Sequence, residues 1–195
     1  MSGRLDIPIF PLGTVLFPAG RLPLRIFESR YVDMTKACIR DNSLFGVCLI
    51  RAGFEVGTPA VPCDIGCTAR ILEWSVPSPG LFTLMTQGET RFRILERRRQ
   101  ADGLIRAEVE LIEPPDPMPL PAQHEQLGKL VQRLIKELGG EQFPSPPRFD
   151  DAAWVAHRMS ELLPVTPEHK QKMLEWNDPL RTLDEIDRVI QSLDG

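Results

Sequence analysis

The stretch Ile7–Met34, IPIFPLGTVLFPAGRLPLRIFESRYVDM, decides the reading of this chain. Its apolar residues are interrupted by Pro8, Pro11, Gly13, Pro18, Gly20 and Pro23. Proline lacks the N–H that a helix interior or a central strand needs, so the run reads as short, sharply turned strands. The character changes at Phe27. From Glu28 onward Tyr31, Met34, Ala37 and Cys38 recur at helical spacing, and Asp41-Asn42 supplies a stop. Strand, turn, strand and one amphipathic helix are therefore expected in that order.

Working outward, Leu44 to Arg51 alternates like a strand buried on both faces, and Arg51 to Val61 reads as a loop. Cys63 to Trp74, Leu81 to Thr86 and Thr90 to Arg99 follow as strands, with turns at Pro77–Gly80 and a break at Gly88. Asp102-Gly103 is the pair favoured in a two-residue hairpin turn, joining the arginine-rich strand to Leu104–Glu113. In that last strand Ile105, Ala107, Val109 and Leu111 share one face, while Arg106, Glu108 and Glu110 share the other. EPPDPMPLP, Glu113 to Pro121, is a linker that propagates neither sheet nor helix. Beyond it the pattern is helical. Leu127, Leu130, Val131, Leu134, Ile135 and Leu138 form an apolar stripe closed by Gly139-Gly140. Asp150 or Asp151 caps a second helix carrying Trp154, Val155 and Met159. Thr166-Pro167 opens a third, and Thr182-x-x-Glu185 has the form of a capping box for a fourth. The expected organisation is a β-rich domain over 1–115 and an α-helical subdomain over 116–195.

The stretch also carries a resemblance. Pro8, Phe10, Pro11, Leu12, Gly13, Val15, Leu16, Phe17, Pro18, Leu22, Pro23, Leu24, Arg25, Ile26, Phe27, Glu28, Arg30, Tyr31 and Met34 resemble the opening signature of the Lon amino-terminal domain family. The likeness continues more loosely through Gly66–Ile71, Gly88–Ile94 and Ile105–Glu110. It implies an α+β fold, a PUA-like pseudo-barrel followed by a helical subdomain. It also implies a non-catalytic module that recognises unfolded or degron-bearing polypeptides, with homo-oligomerisation as a further expectation.

Composition bounds the function classes. A chain of 195 residues buries roughly 70% of its unfolded surface, enough for a real core. No stretch approaches the ~20 apolar residues of a membrane span, and the opening MSGRLDIPIF lacks a signal-like apolar region, so the expected location is the cytoplasm. In that setting Cys38, Cys48, Cys63 and Cys67 read as reduced core residues. Net charge is −4, which argues against nucleic acid, whose phosphates an acidic surface repels. ATP use is not expected. Gly128-Lys129 lacks the upstream glycine and the following Ser/Thr of a phosphate-cradling loop. No serine stands on a G-x-S-x-G elbow, so no catalytic residue is assigned and no enzyme is expected. No metal or other cofactor is expected. Cys63-x-x-x-Cys67 has no complementary ligand pair, and His124, His157 and His169 fall on separate predicted helices.

Two sets of candidate binding residues remain. Phe10, Phe17, Phe27 and Tyr31 suit the aromatic wall of a polypeptide-binding surface bordered by Arg25, Glu28 and Arg30; the aromatics equally suit a core. The charged trio equally suits an ion-pair network pinning the strand-to-helix junction. The alternative is RNA recognition through the arginine-rich hairpin, using Arg91 and Arg93 on one strand and Arg106 across from them, against which stands a solvated face paired by Glu96, Glu108 and Glu110. Small-molecule recognition, as at the aromatic-lined site of one eukaryotic relative of the family, is a third reading. Trp74, Trp154 and Trp176 form no motif for it.

Overall fold

The computed structural model describes residues 3–57 and 60–195, and the chain divides into two compact units, Met1–Glu113 and Pro114–Gly195. The first carries β1 (Arg4–Leu12), β2 (Arg21–Ile26), α1 (Ser29–Asp41), β3 (Phe45–Ala52), β4 (Val61–Pro62), β5 (Ile65–Ser78), β6 (Leu81–Arg99) and β7 (Ile105–Leu111). The second carries α2 (Glu125–Leu138), α3 (Ala152–Leu162), α4 (Pro167–Glu175) and α5 (Pro179–Asp194), with short 3-10 turns at Ala122–His124 and Gly140–Gln142.

The strands follow the order β1-β7-β6-β5-β3, and a parallel pairing of β1 with β3 closes that path on itself. Closure removes the open edges that an isolated sheet would expose. Inside lie Ile7, Ile9, Cys48, Phe92, Ile105, Ala107 and Val109, all buried. Phe92 fills the centre because Gly46 and Gly66 leave room for it. A Cβ on Gly46 would stand 2.7 Å from the Phe92 ring and one on Gly66 2.8 Å. The opposite face of β1, β3 and β5 contributes Phe10, Leu12, Phe45, Val47, Cys67 and Ala69 to a second core, shared with Tyr31, Met34 and Cys38 of α1 and with Ile26, Phe82 and Leu84. Strands buried on both faces explain why their sequences read as near-continuous apolar runs.

Three details differ from the sequence expectations. Gly88 does not break the strand. β6 runs unbroken for 19 residues, and Gly88 is instead where the Phe17–Gly20 corner meets it, through Ala19 N–H to Gly88 O and Gly88 N–H to Gly20 O, each 2.8 Å. The β6–β7 hairpin has a three-residue loop rather than two. Gln100 N–H donates to Leu104 O at 2.8 Å, and Gly103 alone takes positive φ, +90°, with Asp102 Oδ1 accepting from Leu104 N–H. The last helix begins before Thr182. Asp178 caps it through Leu180 N–H at 3.0 Å, Pro179 takes the first turn, and Thr182 lies buried within the helix.

The helical unit packs Leu127, Val131, Trp154, Val155, Met159, Met173, Leu183 and Ile186 into one core. Arg158 is wholly buried there, bidentate to Glu161 at 2.8 and 2.9 Å and stacked over Trp154. His124, also buried, meets two carboxylates of α5: Nδ1 lies 2.7 Å from Asp187 and Nε2 3.1 Å from Asp184. Among the described residues no helix is long and apolar enough to cross a membrane.

Candidate functional site

Where β2 passes into α1, the first unit carries a groove of about 300 Å³. Its floor is apolar, formed by Phe10, Leu12, Leu24, Ile26 and Tyr31, with Phe10 and Tyr31 rings 4.2 Å apart. Its rim combines Pro23, Arg25, Phe27 and Glu28 on one side with Glu55 and Val56 on the other. The second wall is held in place by Glu55, whose carboxylate accepts the Gly13 N–H at 2.5 Å from just beyond β1. Phe27, Phe54 and Val56 remain 58%, 77% and 55% exposed, a local concentration of uncovered apolar surface.

Five of the seven residues expected at a polypeptide site, Phe10, Arg25, Phe27, Glu28 and Tyr31, line this one groove. Phe17 does not. It is wholly buried beneath the corner that meets Gly88, and its carbonyl lies against that glycine. The charged trio also divides. Arg30 pairs with Glu28 at 2.9 Å, with both side chains largely buried, lies over the Tyr31 ring and reaches Gly57 O, so it bolts the first turn of α1 to neighbouring loops. Arg25 stands outside that pair, exposed on the solvent side of β2. Burial pushes the Tyr31 hydroxyl above its ordinary value, as expected for a phenol in a mostly apolar floor.

Among the described residues β2 pairs only with β6. The bond from Gly88 N–H to Gly20 O and the one-to-one register turn the backbone groups of Leu22, Leu24 and Ile26 toward β6. Those of Arg21, Pro23 and Arg25 face outward. Pro23 is tolerated there because its missing N–H costs no ladder bond, and it also guards the edge against indiscriminate pairing.

The hairpin arginines do not form a common surface. Arg91 is 3% exposed and sits beside Cys67, where burial lowers its basicity, whereas Arg93 faces solvent across from Glu110. Arg106 donates to Asp6 at 2.9 Å, and Asp6 also pairs with Arg98 at 2.7 Å. This face is a lattice of opposite charges. Among the described residues no group of three or more His, Cys, Asp or Glu side chains is placed to hold a metal ion. Glu55 and Val56 fall in the segment whose sequence reads as loop, and the apolar Phe54 and Val56 flanking Glu55 are the signal it offers.

A closed β unit bearing an apolar, half-open groove, followed by a helical unit, defines a fold of α+β class. The chain belongs to the ATP-dependent protease La (LON) substrate-binding domain family, whose model matches residues 6–191. It is similar to a solved Lon N-terminal domain protein from Xanthomonas campestris, with 34% identity, a TM-score of 0.78, and coverage of 93% of this chain and 96% of that one. It is also 27% identical over 177 residues to a Lon protease of Anaeromyxobacter dehalogenans, covering 87% of this chain but 21% of that protein. Protein cereblon of Danio rerio is 29% identical over 120 residues, 58% of this chain and 27% of that protein. The chain thus spans about a quarter or less of the Lon proteases it matches.

Proposed function

We propose that this chain acts in the cytoplasm as a non-catalytic, ATP-independent polypeptide-recognition module, holding apolar segments of unfolded or degron-bearing chains in the groove between β2, α1 and the Phe54–Val56 wall. The observation that carries this reading is the groove itself. Its floor is apolar, its rim leaves Phe27 and Val56 largely uncovered, and it borders the outward-facing backbone of β2. An extended segment gains by burying side chains against Phe27, Val56 and Leu24 and by exchanging hydrogen bonds with the outward carbonyl of Pro23 and both backbone groups of Arg25. Arg25 then favours segments with an acidic residue beside the apolar anchor. The description of the matching family as substrate-binding supports the same reading. Self-association would multiply the number of grooves and raise avidity for long unfolded clients.

The test is fluorescence anisotropy with a labelled, reduced and carboxymethylated polypeptide. Burying the exposed part of Phe27 contributes about 1–2 kcal/mol, so Phe27→Ala is expected to weaken binding about fivefold to thirtyfold. Equal affinity of wild type and a Phe27→Ala/Val56→Ser variant overturns the proposal.

A further inference from the structure

Toward its hairpin end, β6 carries a bulge whose effect concerns charge. Before it, Phe92 pairs with Leu111 and Ile94 with Val109, so the even-numbered residues point inward. The register shifts between Ile94 and Glu96. After it Arg97 pairs with Ala107 and Arg99 with Ile105. Ala107 and Ile105 are 0% and 6% exposed and belong to the interior core. Residues directly opposite in a ladder share a face, so the bulge turns Arg97 and Arg99 to the core-facing side. Without the extra residue Leu95 they would join Arg93 on the outer face.

These two guanidinium groups stand at the mouth of a pocket of about 210 Å³ lined by Ala60, Val61, Arg97, Arg98, Arg99 and Ile105. No carboxylate lines it among the described residues. The contrast with the outer face is direct, since there Arg98 and Arg106 converge on Asp6 and Arg4 on Glu108. Arg97 is steadied by Pro62 O at 3.5 Å, a neutral acceptor, and among the described residues no carboxylate forms an ion pair with it. The Arg97 and Arg99 charges, exposed at a concave mouth and with no acidic partner among the described residues, match an anion's requirements.

We infer that the Arg97/Arg99 mouth is a binding site for a small phosphate-type oxyanion. The volume lies below that of sites for drug-sized ligands and suits phosphate, pyrophosphate or one phosphomonoester group rather than a nucleotide with its base. Forked guanidinium donors match the oxygens of such an anion.

The full chain is titrated at constant ionic strength with inorganic phosphate, pyrophosphate and ribose 5-phosphate, with chloride as the control, following backbone amide shifts of 60–62 and 97–99 by NMR. Saturable shifts at these residues, absent with chloride, are expected. Tighter binding of the free anions identifies a free oxyanion as the ligand, and tighter binding of ribose 5-phosphate identifies one carried on a small organic molecule. Arg97→Gln/Arg99→Gln is expected to bind about tenfold or more weakly, and Arg93→Gln, on the outer face, to bind as wild type. If the double variant fails to fold, Arg99→Gln alone answers the question, because Arg99 is exposed. Absence of saturable shifts, or affinity unchanged in the arginine variants, overturns the inference.

Discussion

Replacing Gly88 by alanine tests how the β2 corner is built. Gly88 lies inside β6 with φ outside the left-handed region, so alanine suits its backbone and any loss is steric. The new Cβ would overlap the Phe17 carbonyl oxygen and stand 3.1 Å from both Leu16 Cγ and Cys67 Sγ. A carbonyl oxygen cannot swing aside like a side-chain tip, so the Phe17–Gly20 corner must retreat from β6. Retreat weakens the two 2.8 Å backbone bonds at Gly88, worth about 1 kcal/mol each. It also disturbs the packing of Phe17 and Leu16, 0% and 4% exposed, for a further 1–3 kcal/mol or so. Against this, alanine restricts the unfolded chain and returns about 0.5–1 kcal/mol. The expected net loss is about 2–4 kcal/mol. Hydrogen exchange read by mass spectrometry on peptides from residues 3–57 and 60–113 isolates this unit from the helical one. A Gly88→Ala chain exchanging within about 0.5 kcal/mol of wild type would refute the close-approach argument.

Other consequences can be checked alongside. His124→Ala leaves Asp184 and Asp187 facing each other without the ring between them and opens a buried space; a loss of about 2–4 kcal/mol is expected in exchange protection of α2 and α5. Hydrogen bonds from Arg98 and then Arg106, outweighing the opposing effect of burial, hold the Asp6 carboxyl below its ordinary value of 3.8. A depressed acid contributes stability above its unfolded value and loses it as pH falls through the folded one. Thermal melts of wild type and Asp6→Asn should therefore differ at neutral pH, and the gap should close as pH falls below the ordinary value of 3.8. A constant gap across that range would contradict the assignment. Gly66→Ala, whose Cβ would stand 2.6 Å from Cys48 Sγ and 2.8 Å from the Phe92 ring, should destabilise the closed strands. Gly80→Ala, with open space around it and only a positive φ to strain, should cost about 1–2 kcal/mol, less than Gly66→Ala, when both variants are compared with wild type by urea titration.

Local signals in the sequence survived into the fold where they reported the chain's own neighbours. The proline-punctuated opening became β1 and β2. The apolar period from Tyr31 to Cys38 became α1, which ends at Asn42 with φ +48°, and Thr166-Pro167 and Asp151 cap the helices they precede. Misreadings arose where a distant contact decided. Gly88 looks like a strand break until the Phe17 corner is seen lying on it, and Arg91 looks solvent-facing in the alternation yet is 3% exposed, opposite Cys67 of β5. The parallel β1–β3 pairing joins segments separated by a helix and leaves no periodic trace. The charged trio could not be divided from sequence, because Arg30 is fixed by Glu28 and Gly57 whereas Arg25 differs only in standing on the solvent side of an edge strand. Arg97 and Arg99 were hidden by the bulge at Leu95, since alternation counted from Arg91 assigns them to the wrong face.

The most direct measurement of the central claim is a hydrogen-exchange footprint of the full chain with and without saturating reduced, carboxymethylated polypeptide. Polypeptide recognition in the groove predicts added protection of amides in Leu24–Tyr31 and Phe54–Gly57, with exchange in α2 to α5 unchanged. Binding that protects only the helical unit, or leaves the groove's amides at their free rates, would contradict it.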